Sequence, residues 1–183
     1  MVDLGLLVLR LVFGGLLAGH GAQKLFGWFG GYGLEGTSGW LESMGLRPGR
    51  RWAILAGASE FGGGALTLLG FLNPLGPIGF IGAMLMATRK VHWGKPIWVT
   101  SGGAELPVAN MAAASAVAIA GPGKLSLDKV LGIRLPAWVF PAGVVAAVAG
   151  VEYGMSASRG QEEVPVEEAG GELIAHEQTE HEA

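Results

Sequence analysis

Six ionisable residues of the sequence stand in or beside apolar stretches where a charge is costly: Arg10, His20, Lys24, Glu60, His92 and Glu105. A titratable group at membrane depth faces a bundle interior or water, and is a candidate for function on that ground. Glu60 has two readings. It is ionised and paired with Arg10, about 6 Å away in depth and within reach of the arginine stem. Or it is neutral through desolvation and able to take up and release protons. His20 and His92 are either interfacial rings bonded to backbone and headgroups, or proton carriers and hydrogen-bond donors to a quinone carbonyl. The catalytic candidates are therefore Glu60, His20, His92 and Arg10, with Arg10 setting the charge state of Glu60. The ligand-binding candidates are His20, Lys24 and Glu105. No metal site is expected, because no close ligand spacing joins His20, His92 and Glu60. His176 and His181 are five apart in the acidic end of the chain, not the four that places both on one helix face.

The elements that must position these groups are membrane helices. Half of the 183 residues are apolar, 33 are glycine and none is cysteine, a composition that suits a bilayer better than a soluble core. Without cysteine the chain has no disulfide or thiolate of its own, so redox chemistry needs a borrowed cofactor or partner. Five stretches approach the roughly 20 apolar residues needed to cross a bilayer: 4–22, 52–72, 75–88, 104–120 and 137–154. Asp3 before the first run and Arg10 within it argue for a retained span over a cleaved signal. Small residues four apart mark expected close-packed seams: Gly15 with Gly19, Ala53 with Gly57, Gly79 with Ala83 and Ala87, and the row Ala142, Ala146, Gly150, Gly154. The triplet Gly62-Gly63-Gly64 implies either a kinkable point or close approach of another backbone.

From the end of the first span, His20 to Gly39 mixes glycine with Trp28, Phe29 and Tyr32, as expected of a membrane-interface element. Counted from Ala22, Arg10 lies roughly 18 Å and His20 about 3 Å below that surface; counted from Trp52, Glu60 lies at roughly 12 Å. His20, Lys24, Glu60, Arg89, His92 and Glu105 could thus converge on one face. Lys24, Arg47, Arg50, Arg51, Arg89, Lys90 and Lys95 flank the first and third loops, which the positive-inside rule places in the cytoplasm. Residues 156–183 are rich in Glu, Gly and Ser and read as a disordered acidic tail. No basic surface for nucleic acid is present.

The ordered set Arg10, His20-Gly21, Gln23-Lys24-Leu25-Phe26-Gly27, Phe29-Gly30-Gly31, Gly36-Thr37, Gly57, Glu60-Phe61-Gly62-Gly63, Met86-Ala87, Val91-His92, Gly102-Gly103, Glu105-Leu106, Gly121-Pro122-Gly123 and Ser126-Leu127-Asp128 resembles DoxX-family membrane proteins. The likeness spans about residues 4 to 132. It implies an all-α four-helix membrane bundle over residues 1–134. Residues 135–155 then form an added fifth helix, followed by the acidic tail from 156. The family takes its name from a subunit of thiosulfate:quinone oxidoreductase. The resemblance therefore implies a multi-pass protein of the bacterial inner membrane, a component of a redox complex that meets quinone and a redox partner subunit. Gly and Ala seams also admit a homo-oligomer. The alternative is a non-enzymatic scaffold or lipid-binding protein that docks soluble partners.

Overall fold

The computed structural model describes residues 1–159, and over these the fold is all-helical. Helix α1 (Val2–Phe26) runs unbroken, with a π-helical turn at Arg10–Gly14. It stops at Gly27, whose φ of +72° is left-handed backbone that glycine adopts without strain. A short amphipathic helix α2 (Gly33–Ser43) follows, then α3 (Gly49–Leu69). Helix α4 (Leu75–Ala87) is prolonged by a π-helical turn, Thr88–His92, and α5 (Glu105–Ala120) returns. The one-turn α6 (Leu127–Leu131) precedes α7 (Val139–Arg159). Helices α1, α3 and α7 are each long and apolar enough to cross a membrane, whereas α5 is apolar but shorter. Helix α7 continues to Arg159, past the residue at which the acidic tail was expected to begin; residues 160–183 lie outside the described residues.

Side-chain contacts sort the connections into two ends. At one end the Asp3 carboxylate accepts from the Lys124 amide at 2.9 Å, and Asp128 accepts from the Leu72 and Asn73 amides at 2.7 and 2.8 Å. The start of α1, the α3–α4 turn and the α5–α6 link therefore meet there. At the other end Glu42 of α2 accepts from the Gly49 amide at 2.7 Å, and Leu41, Leu46 and Ala53 form a small core. Helix α7 runs parallel to α4, with Gly143 against Ile78 and Gly154 against Met86 and Trp52. The main core lies between α1, α4 and α5, where Leu17, Phe80, Ile81 and Ala114 are buried.

Helix α3 is the central post. Its glycine triplet lies within one uninterrupted helix, and the three glycines have different surroundings. A Cβ on Gly64 would overlap the Ala18 backbone of α1, whereas one on Gly63 would press on Gly76 and Phe80 of α4. Gly62 faces open space. The seam on α1 uses Gly14, Ala18 and Gly21 in place of the expected Gly15 and Gly19; a Cβ on Gly19 would meet nothing within 4 Å. Of the expected pairs, Ala53 and Gly57 are buried on α3, with Gly57 against Leu25. In lipid, where helices gain little from apolar burial against each other, such close approach supplies the dispersion energy of assembly. Gly64→Val is expected to destabilise the bundle by about 1–3 kcal/mol through overpacking, while Gly62→Ala leaves it unchanged or slightly firmer. Thermal unfolding of the two variants in detergent measures the difference.

Candidate functional site

Lys24 stands in the last turn of α1 and Glu60 at the middle of α3. The seam sets both. Gly57 packs on Leu25 and the Lys24 stem, and Gly21 packs on Phe61, so the two side chains are bracketed from above and below. Lys24 Nζ lies 2.5 Å from Glu60 Oε2. Glu60 is buried at 7% exposure, while about a quarter of the Lys24 side chain is open, at 26%. Because Leu25 is level with Gly57, Glu60 lies only about one turn, roughly 5 Å, below the end of α1. This is shallower than counting from Trp52 implies, because the first two turns of α3 project past α1 to pack on α2.

The pair opens onto a cleft of about 640 Å³ between α3, α4 and α7. From Leu75 and Trp138 at one end to Lys90 at the other, it follows about 22 Å of α4. Its charged and hydroxyl side chains are gathered in one half. They are Lys24, Glu60, Ser59 and Lys90, whereas the half lined by Leu75, Ile78, Trp138 and Val139 is apolar apart from the Trp138 indole N–H. Ser59 Oγ donates to the Ala56 carbonyl at 2.9 Å, and Lys90 donates to Met44 O at 3.0 Å and Ser158 Oγ at 2.6 Å. A lysine ammonium has three donors, and the Lys24–Glu60 bond engages one of them. The site can therefore offer a hydrogen-bond donor and a carboxylate acceptor, joined by a short path for a proton, at the mouth of an apolar slot. A second cavity of about 180 Å³, lined by Pro122, Asp128 and Arg134, lies at the opposite end of the bundle and shares no residue with the cleft.

The other expected site residues go elsewhere. Arg10 does not pair with Glu60 and cannot set its charge by contact. It is 2% exposed and turns to the opposite end, donating to the Pro122 carbonyl, to Leu125 O at 2.8 Å and to Leu68 O at 3.4 Å. Gly70, at φ +61°, makes room for this guanidinium, since a Cβ there would stand 2.7 Å from it. His20 is exposed and lies 3.1 Å from Gln23 Oε1. His92 Nδ1 lies 2.7 Å from the Gly102 carbonyl, an acceptor only, so Nδ1 carries the proton. Glu105 accepts from the Val99 amide at 2.8 Å, and both residues thereby brace the loop between α4 and α5. Arg89 pairs with Glu152 of α7 at 2.8 Å and lies over the Trp93 ring. Of the six residues expected to converge, only Lys24 and Glu60 meet. Among the described residues no group of His, Asp and Glu side chains is placed to hold a metal ion.

Two features of the site escaped sequence reasoning. The sequence assigns Lys24 to ligand binding, whereas in the fold it is the partner of Glu60, with Gly21 and Gly57 bringing the two helices into register. The wall supplied by α7 had no signal beyond its row of small residues.

Alternating apolar helices, a buried ion pair and a lateral apolar cleft define a multi-pass α-helical membrane protein. Residues 5–93 match the DoxX family model, so the segment that holds Lys24 and Glu60 is a DoxX domain. The match ends before α5 and α7, short of the reach to residue 132 that the motifs implied. No curated protein and no solved structure matches the chain.

Removing one partner of a largely buried pair leaves the other charge uncompensated. Lys24→Met and Glu60→Gln are each expected to cost about 1–3 kcal/mol, and the double variant less than the two together. A double-mutant cycle on detergent unfolding midpoints measures the coupling; additive losses would show that the pair contributes nothing as a pair.

Proposed function

We propose that the chain is the quinone-binding membrane component of a redox complex, seating the quinone ring beside Lys24 and Glu60 and its tail in the apolar half of the cleft. The observation that carries this reading is the ion pair at interfacial depth inside a carbon-walled cleft. A net-neutral pair favours an uncharged head with carbonyl oxygens over a phosphate, whose charge the pair does not balance. A spare Lys24 donor can bond a carbonyl oxygen while the Glu60 contact persists. A bound quinone supplies two-electron chemistry, with two protons taken up per quinol formed. The chain's part is to orient the ring, exclude water and pass protons between Glu60 and the cytoplasmic interface, where Lys24 is partly open. The electrons come from a redox partner subunit. The basic first and third loops favour a cytoplasmic face for this end of the bundle, as in a bacterial inner membrane. The scaffold or lipid-binding alternative draws on the same cleft, whose walls also suit an acyl chain.

Trp40, Trp52 and Trp138 line the cleft, so a quinone seated there should quench tryptophan fluorescence. Wild-type protein in nanodiscs is expected to give saturable quenching with a decyl-substituted benzoquinone and to carry quinone when purified from its native membrane. Lys24→Met and Glu60→Gln should weaken binding about tenfold, the equivalent of one charge-assisted hydrogen bond. Phospholipid in the extract, with no quinone and no saturable quenching, would overturn the reading in favour of a lipid-binding protein.

A further inference from the structure

We infer that α7 is the specificity element of this cleft: its small-residue edge, Ala142, Ala146 and Gly150, admits the long apolar tail of the ligand and discriminates against molecules without one. The inference rests on the proposed quinone reading for the head of the ligand, but not for the tail. Three observations carry it.

First, α7 lies outside residues 5–93, yet it supplies a full wall of the cleft. Without it the outer face of α4, with Ile78, Gly82 and Met86, would open to lipid, and the domain would hold a groove in place of a slot. Second, α7 is docked by one edge and by its C-terminal end only. Gly143 receives the Ile78 side chain, a Cβ on Gly82 would stand 3.5 Å from Ala147, and Gly154 meets Met86 and Trp52. Glu152 and Ser158 are tied to Arg89 and Lys90. The edge carrying Ala142, Ala146 and Gly150 faces the cleft instead of packing into α3.

Third, Gly150 has no packing reason to be glycine. A Cβ there would meet nothing within 4 Å, and its backbone is not among the left-handed positions. Gly5, Gly19, Gly39 and Gly62 are equally open helical glycines, but of these five only Gly150 lines the cleft, where the missing side chain leaves space. Gly143 and Gly154, by contrast, are filled by neighbouring side chains. The charged and hydroxyl groups of the cleft sit toward the Gly150 end, and its largely apolar half runs past Ala142 to Trp138. A ligand with a compact carbonyl head and a linear chain matches that order, ring beside Gly150 and chain along Ala146 and Ala142.

The test compares wild type with Ala142→Leu and Ala146→Leu, each placing a larger side chain toward open cleft space, in nanodiscs with tryptophan quenching or competition as the readout. Circular dichroism confirms folding of each variant. The probes are a tailless benzoquinone, its decyl derivative, and decanol as a tail without a carbonyl head, read by displacement of a brominated acyl quencher. Wild type is expected to bind the decyl quinone at least about tenfold tighter than the tailless one. Either leucine variant should bring the two within about twofold while leaving the tailless affinity in place. Equal response of wild type and both variants to every tailed probe would overturn the role of α7. A decanol difference between wild type and variants, with no quinone response in any protein, would uphold α7 as the tail wall and overturn the quinone head.

Discussion

The close approach of α3 to α1 and α4 at Gly64 and Gly63 is the constraint on which the rest depends. A soluble bundle could tolerate looser packing because water drives its apolar faces together, but lipid gives no such drive, and contact at backbone distance must supply the association. That contact also sets register. Gly21 on Phe61, Ala18 on Gly64 and Gly14 on Leu68 interlock over more than two turns. A slip by one turn would part Lys24 from Glu60. The ion pair is thus positioned by glycine packing, and its own attraction does not have to define the assembly.

The two buried cations near the bundle illustrate different uses of a charge at the membrane. Arg10 is held by three backbone carbonyls from two segments, α3 and the 121–126 link, partners that neither titrate nor leave, and it ties that link to the first helix. Lys24 has a carboxylate for a partner, and part of its side chain reaches water. Only the second arrangement can exchange a proton or share a donor with an incoming group. Burial and charge alone would have ranked Arg10 above Lys24; the chemistry of the partner reverses the order.

The long helices were legible in the sequence because a run of apolar residues of bilayer length has few other fates: the five stretches expected to cross fall on α1, α3, α4, α5 and α7, of which α1, α3 and α7 are long and apolar enough to do so. Helix α2 was not legible, since Gly33, Gly36 and Gly39 mark it as loop. Yet Thr37 and Leu41, one turn apart, are buried, with Leu41 against Leu46 and Ala53. The mispairing of Glu60 with Arg10 has a geometric cause. Counting from Ala22 and from Trp52 takes both residues to lie at one surface, whereas α3 overshoots α1 by about two turns, so the two depths are not on one scale. His92 and Glu105 have residue types suited to catalysis and sit beside the right surface. They are satisfied by backbone groups of the α4–α5 loop, a pairing that depends on loop conformation and leaves no periodic trace.

The division between the DoxX segment and α7 then bears on how the site came to have its shape. The charged and hydroxyl side chains that line the cleft, Lys24, Ser59, Glu60 and Lys90, all belong to residues 5–93, so the head of the site is complete within the matched segment. The opposite wall is not. A groove on α4 lined by Gly79, Gly82 and Ala83 would be covered by lipid chains if α7 were absent, and any ligand tail there would compete with them at equal hydrophobicity. Enclosing that groove changes the comparison from lipid against lipid to protein against lipid, where shape discriminates. The latches at Arg89–Glu152 and Lys90–Ser158 hold α7 at its C-terminal end without closing the slot along its length. Small residues on an enclosing helix thus do two jobs here: on the α4 side they let the helices approach, and on the cleft side they keep a chain-wide space open.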